Sequence, residues 1–307
     1  MSSYLAVDGG TTNTRIYYVR DHNILGVEKI CMGVRSGSSD PFGFKNTIKR
    51  SLEVLQLRFG TASSVLVAGM LTSEMGLYEV AHLTAPVGIA DLHCGIKTIT
   101  MPELTPLPIK LIPGVKYMGT CLAETDMMRG EECELIGLSD KLFENTAYIL
   151  PGSHSKLIFT DSRGRISSFY TQLSGEMAAV LSQNTILKTS IDLAQSLNHE
   201  YLRMGYHYAA NYGINEALFK VRVLKNIFNK TTQEVTSFFL GVIFNGEVTR
   251  VIHSNASKIV ISGQINMKQA LSVLLNDLVH IPVITVTEET ASHAVVNGMV
   301  NIYEYRS

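Results

Sequence analysis

The stretch Leu5-Ala-Val-Asp-Gly-Gly-Thr-Thr-Asn-Thr-Arg-Ile16 decides the fold of this chain. An apolar strand runs into an acid, two glycines and three short polar residues, and a second strand follows. This order predicts a tight β-hairpin whose turn holds a nucleotide phosphate, because glycine allows close approach to backbone N–H groups. An ordinary glycine-rich hairpin is the alternative. A P-loop is excluded, since no Gly-Lys-Ser/Thr follows the glycines.

Each residue of this hairpin has an expected role. Asp8 is placed to reach a phosphate-bound Mg²⁺, mostly through water, because that ion keeps its hydration shell. We therefore assign Asp8 to catalysis and to metal binding. The residues expected to contact the phosphates are Gly9, Gly10, Thr11, Thr12 and Asn13.

The composition excludes several classes of protein. A chain of 307 residues, 46% of them hydrophobic and 17% charged, can bury a sizeable core and suggests two domains or two lobes. The net charge of −1 with scattered Lys and Arg argues against a nucleic-acid partner. The four cysteines lack C-x-x-C spacing, so we expect free thiols rather than a zinc site.

No membrane partner is expected. The first residues have no basic segment followed by an apolar core, so a signal peptide is not predicted. No run of about 18 apolar residues occurs, which argues against a membrane span. We therefore predict a cytoplasmic protein.

The two halves of the chain repeat one order of elements. The first half predicts strands over 4–8, 15–20, 24–31 and 64–69, a helix over 41–59 that begins at Asp40-Pro41, and a helix over 126–137. The second half predicts strands over 147–150, 156–160, 166–171, 258–262 and 283–286, a helical region over 175–255, and helices over 266–277 and 288–303. Both halves open with three strands joined by tight turns. We infer an α/β fold with two like lobes facing a cleft, 1–140 and 141–307.

A second phosphate hairpin is expected at Pro151-Gly-Ser-His-Ser-Lys156, which holds in the second half the place of the first hairpin. Gly152, Ser153, His154 and Lys156 are its expected phosphate contacts, and a plain hairpin turn is the alternative. Further along, a strand ends at Ser262-Gly263-Gln264. We expect Gly263 and Gln264 to let adenosine lie against the backbone.

These elements together resemble those of the actin, sugar-kinase and Hsp70 ATPase superfamily. Within it, the chain is similar to the 2-dehydro-3-deoxygalactonokinase family in the order of its motifs. The motifs are Val67-Ala-Gly-Met70, Met128-Arg-Gly-Glu-Glu-Cys-Glu-Leu-Ile-Gly137, Pro151-Gly-Ser-His-Ser-Lys156, Leu173-Ser-Gly-Glu176 and Phe239-Leu-Gly-Val-Ile-Phe-Asn-Gly-Glu247.

The resemblance implies two ribonuclease-H-like lobes with a central nucleotide cleft. The first lobe would carry the first phosphate hairpin and the sugar site, and the second lobe the second hairpin and the adenosine motif. It also implies ATP-dependent phosphorylation of the 6-hydroxyl of 2-dehydro-3-deoxygalactonate, a step in D-galactonate breakdown. The chain departs from the family at Ser73-Glu74-Met75-Gly76-Leu77 and at His82, next to the expected sugar site, so another sugar acid is the alternative substrate.

Four residues are candidates for catalysis and substrate binding. Asp126, which precedes the predicted helix, is the expected base for the substrate hydroxyl, and a helix cap formed by Thr125 or Asp126 is the alternative. Arg129 is expected to grip a sugar-acid carboxylate with two N–H groups. Glu131, like its neighbour Glu132, is a candidate for binding hydroxyls. Glu176 would face substrate or Mg²⁺, unless it only complements the helix dipole.

Other functions stay open at this point. A kinase for another sugar acid or for pantothenate would share the first hairpin. A non-catalytic actin-like switch would keep both hairpins but would lack the Arg-Gly-Glu-Glu block. The sequence leaves open whether the chain forms a homodimer.

Overall fold

The computed structural model describes residues 2–37, 39–139, 142–263 and 265–306. These form two compact units. Unit 1 draws on Met1–Glu144, Gly164–Ser168 and Glu289–Ser307, and unit 2 on Asn145–Arg163 and Phe169–Glu288. The predicted assignment of all of 141–307 to one lobe differs from this division, because the C-terminal helix packs within unit 1.

The strands of the described residues include the nine predicted ones, close to their predicted positions, and five between residues 83 and 128 that were not predicted. They are β1 (Ser3–Gly9), β2 (Thr14–Arg20), β3 (Asn23–Ile30), β4 (Ser64–Gly69), β5 (Leu83–Thr84), β6 (Lys97–Met101), β7 (Thr105–Leu111), β8 (Val115–Met118), β9 (Thr125–Met128), β10 (Thr146–Leu150), β11 (Ser155–Thr160), β12 (Ile166–Gln172), β13 (Lys258–Ile261) and β14 (Val283–Thr285).

The helices connect these strands, and short 3₁₀ turns lie at Met70–Thr72 and Leu122–Glu124. The helices are α1 (Val34–Gly37), α2 (Pro41–Phe59), α3 (Ile89–Cys94), α4 (Glu131–Gly137), α5 (Ser174–Asn184), α6 (His199–Tyr212), α7 (Ile214–Asn226), α8 (Thr232–Ile243), α9 (Asn245–Ile252), α10 (Ile265–Leu278) and α11 (Glu288–Glu304).

The main sheets of the two units are built alike. In unit 1 the order is β3-β2-β1-β4-β7-β6, with β1, β2 and β3 antiparallel and β4 parallel to β1. In unit 2 the order is β12-β11-β10-β13-β14, with β11 antiparallel to β10, and β13 parallel to β10. A three-strand meander joined by a parallel fourth strand is the ribonuclease-H-like arrangement. The predicted fold class is confirmed.

Unit 1 packs α2 against its main sheet. Asp40 caps this helix by accepting the Gly43 N–H at 2.9 Å, and Pro41 occupies the first turn, as predicted. Spacing of three and four residues puts the apolar side chains on one face, where they are buried with the sheet residues. The buried helix residues are Phe44, Ile48, Leu52 and Leu55.

Helices α4 and α11 of unit 1 meet through glycine. An added Cβ at Gly137 would collide with the Ala294 carbonyl oxygen, and one at Gly298 with the Cys133 carbonyl oxygen. The two backbones are therefore in direct contact. This contact explains why the C-terminal helix belongs to unit 1 although it follows unit 2 in the chain.

Unit 2 has a helical core over its sheet. Phe238, Phe239 and Phe244 are fully buried, as their helical spacing predicts. The predicted helical region over 175–255 is five helices, α5 to α9, with an irregular segment over 185–198.

Two further findings concern the whole described chain. Its four cysteines are free, and Cys133 is the buried one. No single helix among the described residues is long and apolar enough to cross a membrane. The pair α8 and α9, bent by 52°, passes the length and composition test when taken together.

Gly298→Ala is expected to lower the free energy of unfolding by about 1–3 kcal/mol, because the added methyl group forces α4 and α11 apart. Helix propensity alone predicts the opposite sign, since Ala is favoured over Gly by about 1 kcal/mol. Gly152→Ala is the matched control, because nothing lies within 4 Å of its added Cβ. Urea denaturation measures the free energy of unfolding of both variants. Equal values for Gly298→Ala and Gly152→Ala would contradict the direct backbone contact.

Candidate active site

The first predicted phosphate hairpin is a tight turn between β1 and β2. The strands stay in register to Gly9 opposite Thr14, and the Gly10 N–H donates to the Asn13 carbonyl at 2.9 Å. The side chains of Thr11, Thr12 and Asn13 are exposed at the tip. The turn therefore presents short polar groups to solvent on a fixed backbone.

The start of α1 is hydrogen-bonded to the backbone of this turn. The N–H groups of Val34 and Arg35 donate to the carbonyls of Gly10 and Thr11 at 3.2 and 3.1 Å. The Thr14 hydroxyl donates to the Met32 carbonyl at 2.9 Å. The carbonyl groups of Gly10 and Thr11 therefore already accept hydrogen bonds from within the protein.

Three glycines bring separate segments of unit 1 together beside this hairpin. Gly69, with φ +75°, would place a Cβ 2.5 Å from the Gly9 carbonyl oxygen. Gly130, with φ +108°, would place a Cβ 3.2 Å from the Gly69 Cα. A side chain at Gly69 is excluded by space and by its positive φ, and the positive φ of Gly130 strains any side chain there. The ends of β1 and β4 and the turn before α4 therefore converge.

Carboxylates gather at this convergence. Asp8 is mostly buried, and its Oδ2 lies 3.7 Å from Arg15 Nη1. Burial raises the pKa of Asp8, Arg15 opposes the rise, and the negative charge of Glu131 adds to it. The Glu131 Oε2 accepts the Arg129 N–H at 2.9 Å.

Glu132 is fully buried within the same turn. Its two carboxylate oxygens accept the Gly130 N–H at 2.8 and 2.9 Å. Burial and the charge of Glu131 raise the pKa of Glu132 to about 8. The expectation that Glu132 binds substrate hydroxyls does not fit this burial, since its carboxylate is turned onto its own backbone.

Asp126 lies on a strand rather than at a helix terminus. It pairs with Tyr117 in the antiparallel ladder of β8 and β9, is half-buried, and its Oδ1 accepts the Met127 N–H at 2.7 Å. The predicted helix over 126–137 begins only at Glu131, because Val115–Met118 offers a partner strand and Gly130 breaks the backbone path. The predicted cap at Thr125 or Asp126, and the helix dipole argument, are wrong. The role of Asp126 as a base stays a prediction.

The Arg129 guanidinium is used by the protein itself. Its Nη1 donates to the carbonyl and hydroxyl of Thr72, both at 2.7 Å, and its Nη2 donates to the Val80 carbonyl at 2.9 Å. Nη2 also lies 3.2 Å from His82 Nε2. The group thus anchors both ends of the 72–80 segment.

His82 shares this cationic environment. Burial and the charges of Arg129 and Lys116 lower the pKa of His82. The imidazole is therefore neutral over a wider range of pH than a free histidine.

The second predicted hairpin joins β10 and β11 in unit 2. Gly152 faces open space, with nothing within 4 Å of an added Cβ, and Ser153 and His154 are exposed. The start of α5 supports the hairpin, because the Glu176 N–H donates to the Ser153 carbonyl at 3.0 Å. An added Cβ at Gly175 would collide with the Gly152 carbonyl oxygen.

Two predicted contacts of this hairpin have partners inside unit 2. Lys156 is buried on β11, and its Nζ donates to the Thr171 hydroxyl at 2.6 Å. His154 Nε2 lies 3.2 Å from Glu176 Oε2. Glu176 is thus an exposed partner of the hairpin, and its contact with substrate or Mg²⁺ stays a prediction.

The predicted adenosine turn lies beside the second hairpin. Gly263 has φ +87°, and an added Cβ would lie 2.7 Å from the Pro151 carbonyl oxygen. Gln264, the other predicted contact, lies outside the described residues. Within the described residues, no group of three or more His, Cys, Asp or Glu side chains is arranged to hold a metal ion.

Sequence reasoning missed the buried hydrogen bond of Glu247 in this unit. Its carboxylate is fully buried and accepts the Ser174 hydroxyl at 2.5 Å. The available signal was a single acid between Phe244 and Val248 in an apolar helical run.

Two ribonuclease-H-like units, each with a glycine-containing hairpin after its first strand, define a protein of the actin-like ATPase and sugar kinase class. The chain belongs to the 2-keto-3-deoxy-galactonokinase family, whose model matches residues 8–302. It is therefore a kinase, a phosphotransferase that uses ATP and acts on a hydroxyl group of a small molecule. This confirms the family and the enzyme class predicted from the sequence.

Individual relatives agree with the family model. The chain is 25% identical over 268 residues to the 2-dehydro-3-deoxygalactonokinase of Escherichia coli (strain K12), covering 84% of each chain. It is 24% identical over 190 residues to a probable 2-dehydro-3-deoxygalactonokinase of Rhizobium meliloti (strain 1021), covering 61% of this chain and 59% of the relative. A solved structure titled “putative 2-dehydro-3-deoxygalactonokinase protein” from Sinorhizobium meliloti has a TM-score of 0.78 at 19% identity, covering 97% of both chains.

The buried Glu132 is expected to make stability depend on pH. Its pKa is about 8 in the folded chain against the ordinary 4.5, so between these values the folded state holds a proton that the unfolded state has lost. The free energy of unfolding then falls as pH rises from about 4.5 to about 8, by up to about 1.4 kcal/mol per pH unit. Glu132→Gln removes this contribution.

Urea denaturation of the wild type and Glu132→Gln at pH 5, 6, 7 and 8 measures the effect. We expect the stability of the wild type relative to the variant to decrease steadily across this series. If the stabilities of the wild type and of Glu132→Gln change in parallel with pH, the pKa of Glu132 is not raised by folding.

Proposed function

We propose that this chain transfers the γ-phosphoryl group of ATP to the 6-hydroxyl of 2-dehydro-3-deoxygalactonate. The observation that carries this proposal is the convergence of the Arg129–Glu132 turn with the ends of β1 and β4. That turn contains the most specific motif of the family. It lies beside Asp8 and the exposed hairpin tip, so a substrate group and a phosphate group have candidate contacts in one unit.

We assign the proton transfer to Asp126. The substrate hydroxyl oxygen attacks the γ-phosphorus, the bond to the ADP oxygen breaks, and the hydroxyl proton passes to the Asp126 carboxylate. Asp126 is half-buried on β9, which supports a carboxylate that is held in place and still reached from solvent. Asp8 is the residue that we assign to Mg²⁺.

The residues present fit a magnesium-bound nucleotide. A mostly buried carboxylate next to a hairpin with exposed hydroxyl groups suits an ion held mainly by phosphate and water. When bound, Mg²⁺ neutralises charge on the transferred phosphoryl group. The open space at Gly152 and the exposed Ser153 and His154 support phosphate binding at the second hairpin. Lys156 and Glu176 then support that hairpin through Thr171 and His154.

The 72–80 segment is our candidate for substrate choice. It departs from the family over 73–77, and Arg129 fixes its two ends through Thr72 and Val80. Since both guanidinium termini are engaged there, we propose that Arg129 shapes the sugar site mainly through this segment. A related sugar acid is the second candidate substrate for the same reason.

An assay of ADP release with a panel of acceptors tests the function. The panel holds 2-dehydro-3-deoxygalactonate, the 2-dehydro-3-deoxygluconate isomer, pantothenate and neutral hexoses, each with Mg²⁺ and with a chelator. We expect activity with the keto-deoxy acids only, and only with Mg²⁺ present. A neutral hexose used equally well would reject the sugar-acid assignment, and ATP binding without any acceptor would favour a nucleotide switch.

Asp126→Asn is expected to lower kcat by about 10²–10⁴-fold, the range for a positioned base. The affinity for ATP and the melting temperature should stay near those of the wild type, because the amide keeps the shape and the acceptor oxygen of the carboxylate. Asp91→Asn is the matched control, since the Asp91 side chain at the start of α3 accepts the Gly88 N–H at 2.8 Å and an amide oxygen can accept the same bond. A wild-type rate in Asp126→Asn would assign the proton transfer elsewhere.

Gly152→Val is expected to weaken ATP binding at least tenfold, because its side chain would fill the space proposed for phosphate. Stability should hardly change, since no protein atom lies within 4 Å of the added Cβ. Calorimetry with a non-hydrolysable ATP analogue measures the dissociation constant, and Gly152→Ala should give an intermediate value. Unchanged affinity in a folded Gly152→Val protein would remove the second hairpin from the nucleotide site.

A further inference from the structure

Glu247 is a buried carboxylate that the proposed chemistry does not use. It lies on α9 in unit 2, is fully buried, and its Oε1 accepts the Ser174 hydroxyl at 2.5 Å. With the Gln172 amide oriented so that its nitrogen faces Glu247, that nitrogen donates to Oε2 at 3.1 Å. The Gln172 amide oxygen then accepts the Glu247 N–H at 3.0 Å. Both carboxylate oxygens therefore have a donor.

Ser174 connects this carboxylate to the second hairpin. It is the first residue of α5, and the next two residues touch the hairpin directly. Gly175 packs against the Gly152 carbonyl, and the Glu176 N–H donates to the Ser153 carbonyl at 3.0 Å. A continuous path of hydrogen bonds and backbone contact thus runs from Glu247 to the tip of the hairpin.

We propose that Glu247 is a positioning residue, which fixes the second phosphate hairpin through Ser174 and the first turn of α5. The inference rests on the proposed binding of ATP phosphates at Gly152 and Ser153. Glu247 itself has no exposed surface, so it acts on the nucleotide through the residues that it contacts. Burial raises the pKa of Glu247, and the bond from Ser174 opposes the rise, so this bond also stabilises the ionised form.

A purely structural role for Glu247 makes a different prediction. Loss of the Ser174 bond would then lower stability without changing the affinity for ATP. A positioning role requires that ATP affinity falls while the KM for the acceptor stays the same, since the sugar site is assigned to unit 1. The decisive measurement is therefore whether a variant changes the affinity for ATP while the KM for the acceptor stays the same.

Ser174→Ala breaks the path with the smallest change of volume. A hydrogen bond to a charged group contributes about 1.5–3 kcal/mol, so we expect the dissociation constant of a non-hydrolysable ATP analogue to rise by about 10–100-fold. Glu247→Ala should give a similar rise. Glu247→Gln should stay within about threefold of the wild type, because its amide oxygen can still accept the Ser174 hydroxyl.

Ser237→Ala is the matched control. Ser237 is also a fully buried serine of unit 2, and its hydroxyl accepts the Asn198 N–H and donates to the Gln233 carbonyl, both at 2.8 Å. Its loss should lower the melting temperature as much as Ser174→Ala does, with no change in nucleotide affinity. Equal losses of affinity in both variants, or wild-type affinity in folded Ser174→Ala, would overturn the proposal.

The test remains decisive under two complications. If Glu247→Ala does not fold, Ser174→Ala and Glu247→Gln carry the comparison. If the wild type phosphorylates no sugar acid, the proposed substrate is wrong, and the binding of the ATP analogue still measures the effect of Ser174→Ala on the hairpin. Absence of any nucleotide binding by the wild type would overturn both.

Discussion

The contact of three glycine backbones in unit 1 is the constraint on which the candidate site depends. Gly9, Gly69 and Gly130 lie at the ends of three different segments. An added Cβ at Gly69 would lie 2.5 Å from the Gly9 carbonyl oxygen, and one at Gly130 would lie 3.2 Å from the Gly69 Cα. Two of them adopt backbone angles that other residues rarely reach. This contact sets the distance between the phosphate hairpin, the end of β4 and the Arg-Gly-Glu-Glu turn, so the polar groups of all three segments share one small region.

In each unit a buried glutamate accepts a hydrogen bond beside a candidate functional turn. Glu132 accepts the N–H of Gly130 in unit 1, and Glu247 accepts the Ser174 hydroxyl in unit 2. Burying a carboxylate costs free energy, and each carboxylate recovers part of that cost through donors close to the turn. In both units the glutamate is buried, whereas the polar residues at the tip of the phosphate hairpin are exposed.

The sequence predicted the periodic elements well and the site only in part. The helix α2 followed from Asp40, Pro41 and four apolar residues at helical spacing, because all of these signals are local. Asp126 was placed on a helix because its strand depends on pairing with Tyr117, nine residues earlier, which no local pattern reports. Likewise the charge of Arg129 indicates an anion, whereas its partners include the backbone carbonyls of Thr72 and Val80, 57 and 49 positions away.

The anchoring of the 72–80 segment has a consequence for how such enzymes diverge. Of its acceptors for Arg129, the carbonyls of Thr72 and Val80 belong to the main chain, so they persist whatever side chains the interior of the segment carries. The exposed residues Glu74, Met75, Tyr78 and Glu79 can therefore be exchanged while the attachment points stay fixed. Gly76 is excluded from such exchange, because an added Cβ would collide with the Leu71 carbonyl oxygen. Libraries that randomise the exposed positions in an Arg129-retaining background are the natural starting point for redirecting the kinase to new acceptors.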